Sequence, residues 1–284
     1  MEKLTHILAV LEEPATAGMV LHKAAALARS FDASLELLVI DPLPANDMKA
    51  QCAALGYADI TLRVASLVGR RLDTVILDDL RMRLPDLVVK FRCGRQPLRR
   101  YTLADSDWRL ARECPVPLML VEGKPWATPM RFAAAVDVSD AATLAVARAV
   151  LHTAGFLTLG SRGFLDVLYT ERELHDETLR MERAVKLAQL VREFHVGCER
   201  LQMFDGVPEK KLPPLISARQ YDVLLLGAVS HRARLSGMIC PLTSRLTEAT
   251  PGDVVLVNCK PAQSDSARLS RLADFSPAPA ARPN

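Results

Sequence analysis

The chain has 284 residues, of which half are hydrophobic and 24% charged, so a large core is available and a disordered chain is excluded. Thirty-six Lys and Arg stand against 33 Asp and Glu, a net charge of +3, and aromatic residues make up 5%. That balance is wrong for a dedicated polyanion binder, and so few aromatics argue against a base-stacking surface, so nucleic acid is not an expected partner.

Taken in chain order, the pattern alternates strand and helix. The first half predicts strands near 4–11, 34–41, 59–66, 86–91 and 117–121, with helices near 14–30, 45–57, 70–84 and 105–113. The apolar run Ile7 to Leu11 near the start reads as a strand rather than a signal peptide. Val121 to Pro129, punctuated by Gly123, Pro125 and Pro129, reads as a linker. The second half predicts strands near 131–137, 165–170, 198–204, 222–227 and 253–258, with helices near 140–161, 176–195, 208–220 and 242–249. Within it, Gly160 to Gly163 reads as a helix end with glycine caps. The tail from about Ala262, rich in Ser, Pro, Ala and Arg, is expected to be disordered. No apolar run approaches the ~18 residues of a membrane span.

The two halves repeat one another. Residues 85–121 align without a gap on 221–257: Asp86 falls on Asp222, Arg109-Leu110 on Arg245-Leu246, and Leu118 to Val121 on Val254 to Val257. Leu4 to Val10 is set against Met130 to Val136, which puts Leu11 opposite Asp137. Strand–helix alternation at this spacing predicts parallel sheets covered on both faces. The expected divisions are 1–123, 124–260 and a tail of 261–284.

Several side-chain groups carry chemistry. Lys90, Arg92, Gly94, Arg95, Arg99 and Arg100 lie in the densest basic stretch and form a candidate anion site, with a solvated loop as the plainer reading. Trp108 and Trp126 flank the last strand of the first half and are expected to pack at a junction. Six cysteines form no C-x-x-C pair and six histidines no H-x-x-x-H pair, so neither a structural zinc site nor a disulfide framework is expected, and the thiols suit a reducing cytoplasm. No P-loop and no G-x-S-x-G elbow occurs.

The order of segments Ala133 to Asp137, Tyr221 to Gly227, Thr243 to Leu246 and Val254 to Val257, with counterparts in the first half, resembles tandem universal stress proteins over residues 4–259. The resemblance implies two five-stranded α/β domains of the flavodoxin-like, adenine-nucleotide-binding kind, paired through their last strands as a pseudo-dimer. It also implies a nucleotide site: an Asp ending strand one, G-x-x-G after strand four, and a further Gly with Ser or Thr. In the second half Asp137 and Gly227 match. Ser230 replaces the second glycine beside His231, Cys240 and Pro241 replace the third pair, and Thr243 supplies a hydroxyl one turn on. In the first half the matching positions are Leu11, Phe91, Gly94, Ala104 and Asp105, so no ATP site is expected there. The implied function is a cytoplasmic, non-enzymatic stress-response protein acting through protein partners or a small ligand. It requires no cofactor. ATP or AMP in the second half, a larger anionic or amphipathic ligand between the halves, and a homodimer of tandem chains are the alternatives.

Overall fold

The computed structural model describes residues 4–57, 60–92, 105–171, 176–194, 197–219, 221–228 and 241–258. Ten strands form one sheet: β1 (His6–Leu11), β2 (Ser34–Ile40), β3 (Thr61–Ala65), β4 (Leu87–Phe91), β5 (Leu118–Val121), β6 (Arg131–Ala135), β7 (Phe164–Glu171), β8 (Cys198–Asp205), β9 (Val223–Gly227) and β10 (Asp253–Val257). Among the described residues eight helices accompany them: α1 (Pro14–Phe31), α2 (Ala45–Ala54), α3 (Leu72–Met82), α4 (Asp105–Glu113), α5 (Ala141–Ser161), α6 (Glu177–Glu193), α7 (Pro208–Arg219) and α8 (Pro241–Ala249).

The strand order is β3-β2-β1-β4-β5-β10-β9-β6-β7-β8, a palindrome of two five-stranded parallel units. They meet where β5 and β10 pair antiparallel, Leu118 with Leu256, Met119 with Val255 and Leu120 with Val254. Met119 and Val255 are repeat equivalents, so a local two-fold axis passes through that pair. The expected joining of last strands is therefore made within one chain, and it satisfies two edges that would otherwise be open.

Continuous apolar strands make this possible. One core lies under α1, α2, α5 and α6, the other under α3, α4, α7 and α8. Alternate residues of each strand serve the two layers: Ile7, Ala9 and Leu11 face the first, Leu8 and Val10 the second. Asp86 and Asp222 play the same part in each half. Asp86 accepts from the Thr5 and His6 amides at 2.7 and 3.0 Å, and Asp222 from the Ala127 and Arg131 amides at 3.0 and 2.8 Å. Each carboxylate thus pins the start of the first strand of its unit to the fourth. Glu36 and Asp166 repeat in the same way on β2 and β7, bonded to Arg63 and Arg83 in one half and to Gln202 and Arg219 in the other.

Three expectations need correction. First, β1 pairs Ile7 with Leu87, whereas β6 pairs Phe132 with Val223, the repeat equivalent of Leu87. Ile7 therefore corresponds to Phe132, and the residue opposite Asp137 is Glu12, not Leu11. A slip of one residue exchanges the two faces of a strand, but both strands are apolar on both faces, so their composition did not reveal it. Second, the left-handed residue ending α5 is Arg162, with φ 51°, not a glycine. Gly160 is needed for space instead: an added Cβ would lie 1.9 Å from Cε1 of Phe31 on α1. Gly160→Ala should therefore destabilise the chain by ~1–3 kcal/mol through overpacking, read as a lower denaturation midpoint, and Phe31→Leu in the same chain should restore part of the loss. Third, α5 is long and apolar enough by composition to span a bilayer. Its Ala147, Val150, Leu151, Ala154 and Leu157 are buried in the first core against the sheet and α1, which accounts for its composition as a core helix.

The junction between halves is polar as well as apolar. Lys23 on α1 is 5% exposed, and its Nζ donates to both carboxylate oxygens of Asp253, at 2.8 and 2.7 Å, and to the Glu122 carbonyl at 2.6 Å. Asp253 also accepts from the Glu122 amide at 2.7 Å and from Nε1 of Trp126 at 2.6 Å. The Trp126 ring lies beneath the ammonium, 5.2 Å from its centroid, which places this tryptophan at the junction as expected. Burial pulls the Lys23 amine below its ordinary range, and the Asp253 charge opposes it.

Candidate ligand site

In an open α/β sheet, ligands sit outside the carboxyl ends of the strands where the strand order reverses. In the second half that place lies between β6 and β9. Asp137 follows β6 and is exposed, Gly227 ends β9, and Thr243 opens α8. The structure thus brings Asp137, Gly227 and Thr243 to one edge. Ser230 and His231 lie outside the described residues, as do Cys240 and the loop between.

The three described residues differ in availability. Asp137 accepts the Ser139 amide through Oδ1 at 2.9 Å. Gly227 must be small, because a Cβ there would meet Cγ1 of Val146 at 2.4 Å. Thr243 is 4% exposed and donates its hydroxyl to the Gly227 carbonyl at 2.8 Å, tying α8 to the strand end. The amides opening α5 are taken by its own cap: Asp140 accepts from Ala142 and Thr143 at 2.8 and 2.7 Å. An anion can draw little from that helix end.

Beside Asp137, β7 ends in a buried polar chain that sequence reading missed. Tyr169 donates to Glu171 at 2.5 Å, and Arg183 on α6 donates to the same carboxylate through Nε at 2.9 Å. Burial, the bond to Glu171 and the charges of Glu171 and Asp137 hold the Tyr169 phenol well above its ordinary value. Burial opposes ionisation of Glu171, but Arg183 and Tyr169 overcome it and keep the carboxyl below the usual range. The Y-x-E spacing on a strand, with an arginine twelve residues later on the next helix, was the available signal.

The equivalent place in the first half is closed from within. Lys90, the counterpart of Leu226, is fully buried. Its Nζ lies 2.8 Å from Glu12, the counterpart of Asp137, and 2.6 Å from Asp107, the counterpart of Thr243. It also donates to the Phe91 carbonyl at 2.9 Å. One internal ammonium therefore bridges the two positions that flank the site in the other half, and Phe91 stands at the position of Gly227.

The candidate anion site is not assembled from Lys90 and Arg92. Lys90 is spent on Glu12 and Asp107. Arg92 is 7% exposed, donates to the Thr247 and Thr250 carbonyls at 2.8 and 3.0 Å, and pairs with Glu122. It thus satisfies carbonyls at the end of α8 in the opposite half. The cluster of basic letters near 90–101 begins inside the protein, because β4 carries it there. Gly94, Arg95, Arg99 and Arg100 lie outside the described residues.

The architecture is similar to that of solved universal stress proteins. In sequence the chain is similar to curated proteins named universal stress protein E. The homologue of that name from Haemophilus influenzae is 22% identical over 164 residues, 51% of this chain and 53% of the relative, so the chain spans about half the length of the curated relative it matches there. Among solved structures, a putative universal stress protein from Pseudomonas aeruginosa superposes with a TM-score of 0.75 at 20% identity, covering 96% of this chain and 98% of that one. A universal stress protein from Archaeoglobus fulgidus gives a TM-score of 0.59 at 14% identity, covering 88% and 96%. No protein-family model matches the chain.

Proposed function

We propose that this chain is a cytoplasmic stress-response protein that senses a small ligand at the carboxyl edge of its second half, and that the ligand is an adenine nucleotide, ATP or AMP. The reading takes it as a binding protein without turnover, with the first half as a closed structural partner. The observation that carries it is the asymmetry of the two edges. Glu12 is neutralised inside the protein by Lys90, whereas its counterpart Asp137 stands exposed beside Leu226. A carboxylate only accepts hydrogen bonds, so the exposed one is open to a ligand that presents donors in place of water, such as the amine of adenine or ribose hydroxyls.

Calorimetric titration with ATP and with AMP, in the presence of Mg²⁺, tests this. Binding in the micromolar range is expected, and Asp137→Ala should weaken it ~10- to 100-fold, the worth of a hydrogen bond to a charged group. Absence of binding to the unaltered chain would refute the reading and turn the search toward protein partners.

A further inference from the structure

The two halves also differ at the opposite, amino edge of the sheet. In the first half Glu36 is 3% exposed and surrounded by cations: His6 Nε2 lies 2.9 Å from it, Arg63 Nη1 2.5 Å and Arg83 Nη1 3.1 Å. Arg63 also pairs with Asp79 at 2.7 Å. Two arginines thus meet two carboxylates, and the cluster is balanced from within.

The second half redistributes this charge. Asp166 repeats Glu36 and is as deeply buried. Gln202 stands at the position of Arg63, and Gln202 and Tyr221 give Asp166 neutral hydrogen bonds at 3.2 and 2.8 Å. Arg219, the counterpart of Arg83, reaches the same carboxylate at 3.4 Å. Two more arginines stand outside: Arg131 in place of His6, and Arg200 in place of Thr61. Both are exposed, and among the described residues neither has a carboxylate partner.

Register brings these side chains together. Arg131 lies beside Phe164, and Asp166 beside Arg200, on neighbouring strands. Strand alternation puts all four on one face, that of Ala133 and Leu168 in the core beneath α7 and α8. Tyr221 of the same core carries the Arg131 guanidinium 5.8 Å from its ring centroid. Phe164 is 48% exposed, a large apolar ring among cations. The other acids nearby are placed differently: Asp222 is buried and accepts from two amides, and Glu199 is the extra residue of a bulge, outside the paired register. Three guanidinium groups therefore surround one buried carboxylate, an excess of two positive charges.

We propose that this amino edge is an anion-binding site formed by Arg131, Arg200, Arg219 and Phe164, and that it takes a phosphomonoester whose apolar group adjoins the phosphoryl group, as in an aryl phosphate. The excess charge matches a phosphomonoester, which is largely dianionic above its second pKa of ~6. Guanidinium groups present paired donors to the phosphoryl oxygens. Phe164, alongside Arg131, meets the group carried on the ester oxygen. In a nucleotide the ribose intervenes there. The site goes beyond the nucleotide reading and does not depend on it, because Arg131 opens β6 whereas Asp137 follows its other end.

Calorimetric titration of the full chain with phenyl phosphate tests this, at low salt and about pH 8, where the ester is a dianion. Benzoate serves as a monoanion carrying the same ring. Phenyl phosphate is expected to bind, and benzoate roughly tenfold more weakly. Arg200→Thr, which places the first-half residue there, should weaken phenyl phosphate roughly tenfold or more, the worth of a hydrogen bond to a charged group. The melting temperature of the free variant should hold, since Arg200 is exposed. Phe164→Ser should weaken binding about three- to tenfold, and Asp137→Ala should leave it unchanged. No binding by the unaltered chain, full affinity in Arg200→Thr or in Phe164→Ser, or benzoate bound as tightly as phenyl phosphate would overturn the proposal. Loss of binding in Asp137→Ala would place the ligand at the carboxyl edge and overturn it as well. Failure of AMP to bind would refute the nucleotide reading alone.

Discussion

Replacing Lys90 by leucine, the residue at the equivalent position of the second half, should destabilise the protein by ~3–5 kcal/mol, the usual penalty for leaving buried charges without their partner. At the size of this chain that corresponds to a fall of roughly 10 °C in melting temperature. Lys90 and Asp107 are fully buried, and the Glu12 side chain is 9% exposed, so water cannot replace the ammonium. The two carboxylates would then face each other across an apolar gap. Adding Glu12→Gln and Asp107→Asn removes the charges and should recover much of the loss, because a buried ion pair is worth little over a well-packed neutral replacement. Thermal unfolding of the single and triple variants measures both. A single variant as stable as the unaltered chain would show that the ion cluster does not hold the first half together.

Asp253→Asn should have a similar effect at the junction. The amide keeps the shape but offers one oxygen where Asp253 offers two, and it carries no charge for the buried Lys23 ammonium. Three donors converge on the carboxylate: Lys23 Nζ, the Glu122 amide and the Trp126 indole. A loss of ~3–5 kcal/mol is expected from stranding the lysine. These contacts link α1, the segment after β5 and the first residue of β10, so the two halves should also lose their common transition. Chemical denaturation of chains carrying Trp108→Phe, so that the fluorescence reports Trp126, followed by that fluorescence and by far-UV circular dichroism, reads this. The unaltered chain should give coincident curves and the variant separated ones. Coincident curves in the variant, at an unshifted midpoint, would mean that apolar packing of β5 on β10 suffices.

Much of this architecture was legible in the sequence, for definite reasons. Strands buried on both faces are continuous apolar runs, as in Leu87 to Val89 and Val223 to Leu226. The repeat of Asp86 at Asp222 then fixed the alignment of the last two strands of each half. The joining of β5 to β10 came from the family resemblance, and the structure places the dyad at Met119 and Val255. What failed was register. Beyond His6 and Arg131, which open β1 and β6 and are equivalent in the observed register, the two strands are apolar on both faces; they were aligned on their apolar runs, so Leu11 rather than Glu12 was set against Asp137, and the internal neutralisation of Glu12 was hidden. Lys90 and Arg92 misled in another way. A run of basic letters suggests a solvated surface, yet these two lie on and just after a buried strand and find their partners on Asp107, Glu122 and α8, which are distant in sequence. The Tyr169–Glu171–Arg183 chain left only a faint trace, the Y-x-E spacing, and its closure depends on side-chain geometry between β7 and α6.

The asymmetry between the two edges is the core of this account, and the stoichiometry of AMP binding tests it most directly. Titration of the full chain at concentrations well above the dissociation constant should saturate at one AMP per chain. Hydrogen exchange on the same complex should show protection in peptides spanning the ends of β6, β7 and β9, with none at the ends of β1 and β4. Two equivalent sites per chain, or protection around Glu12 and Lys90, would contradict it.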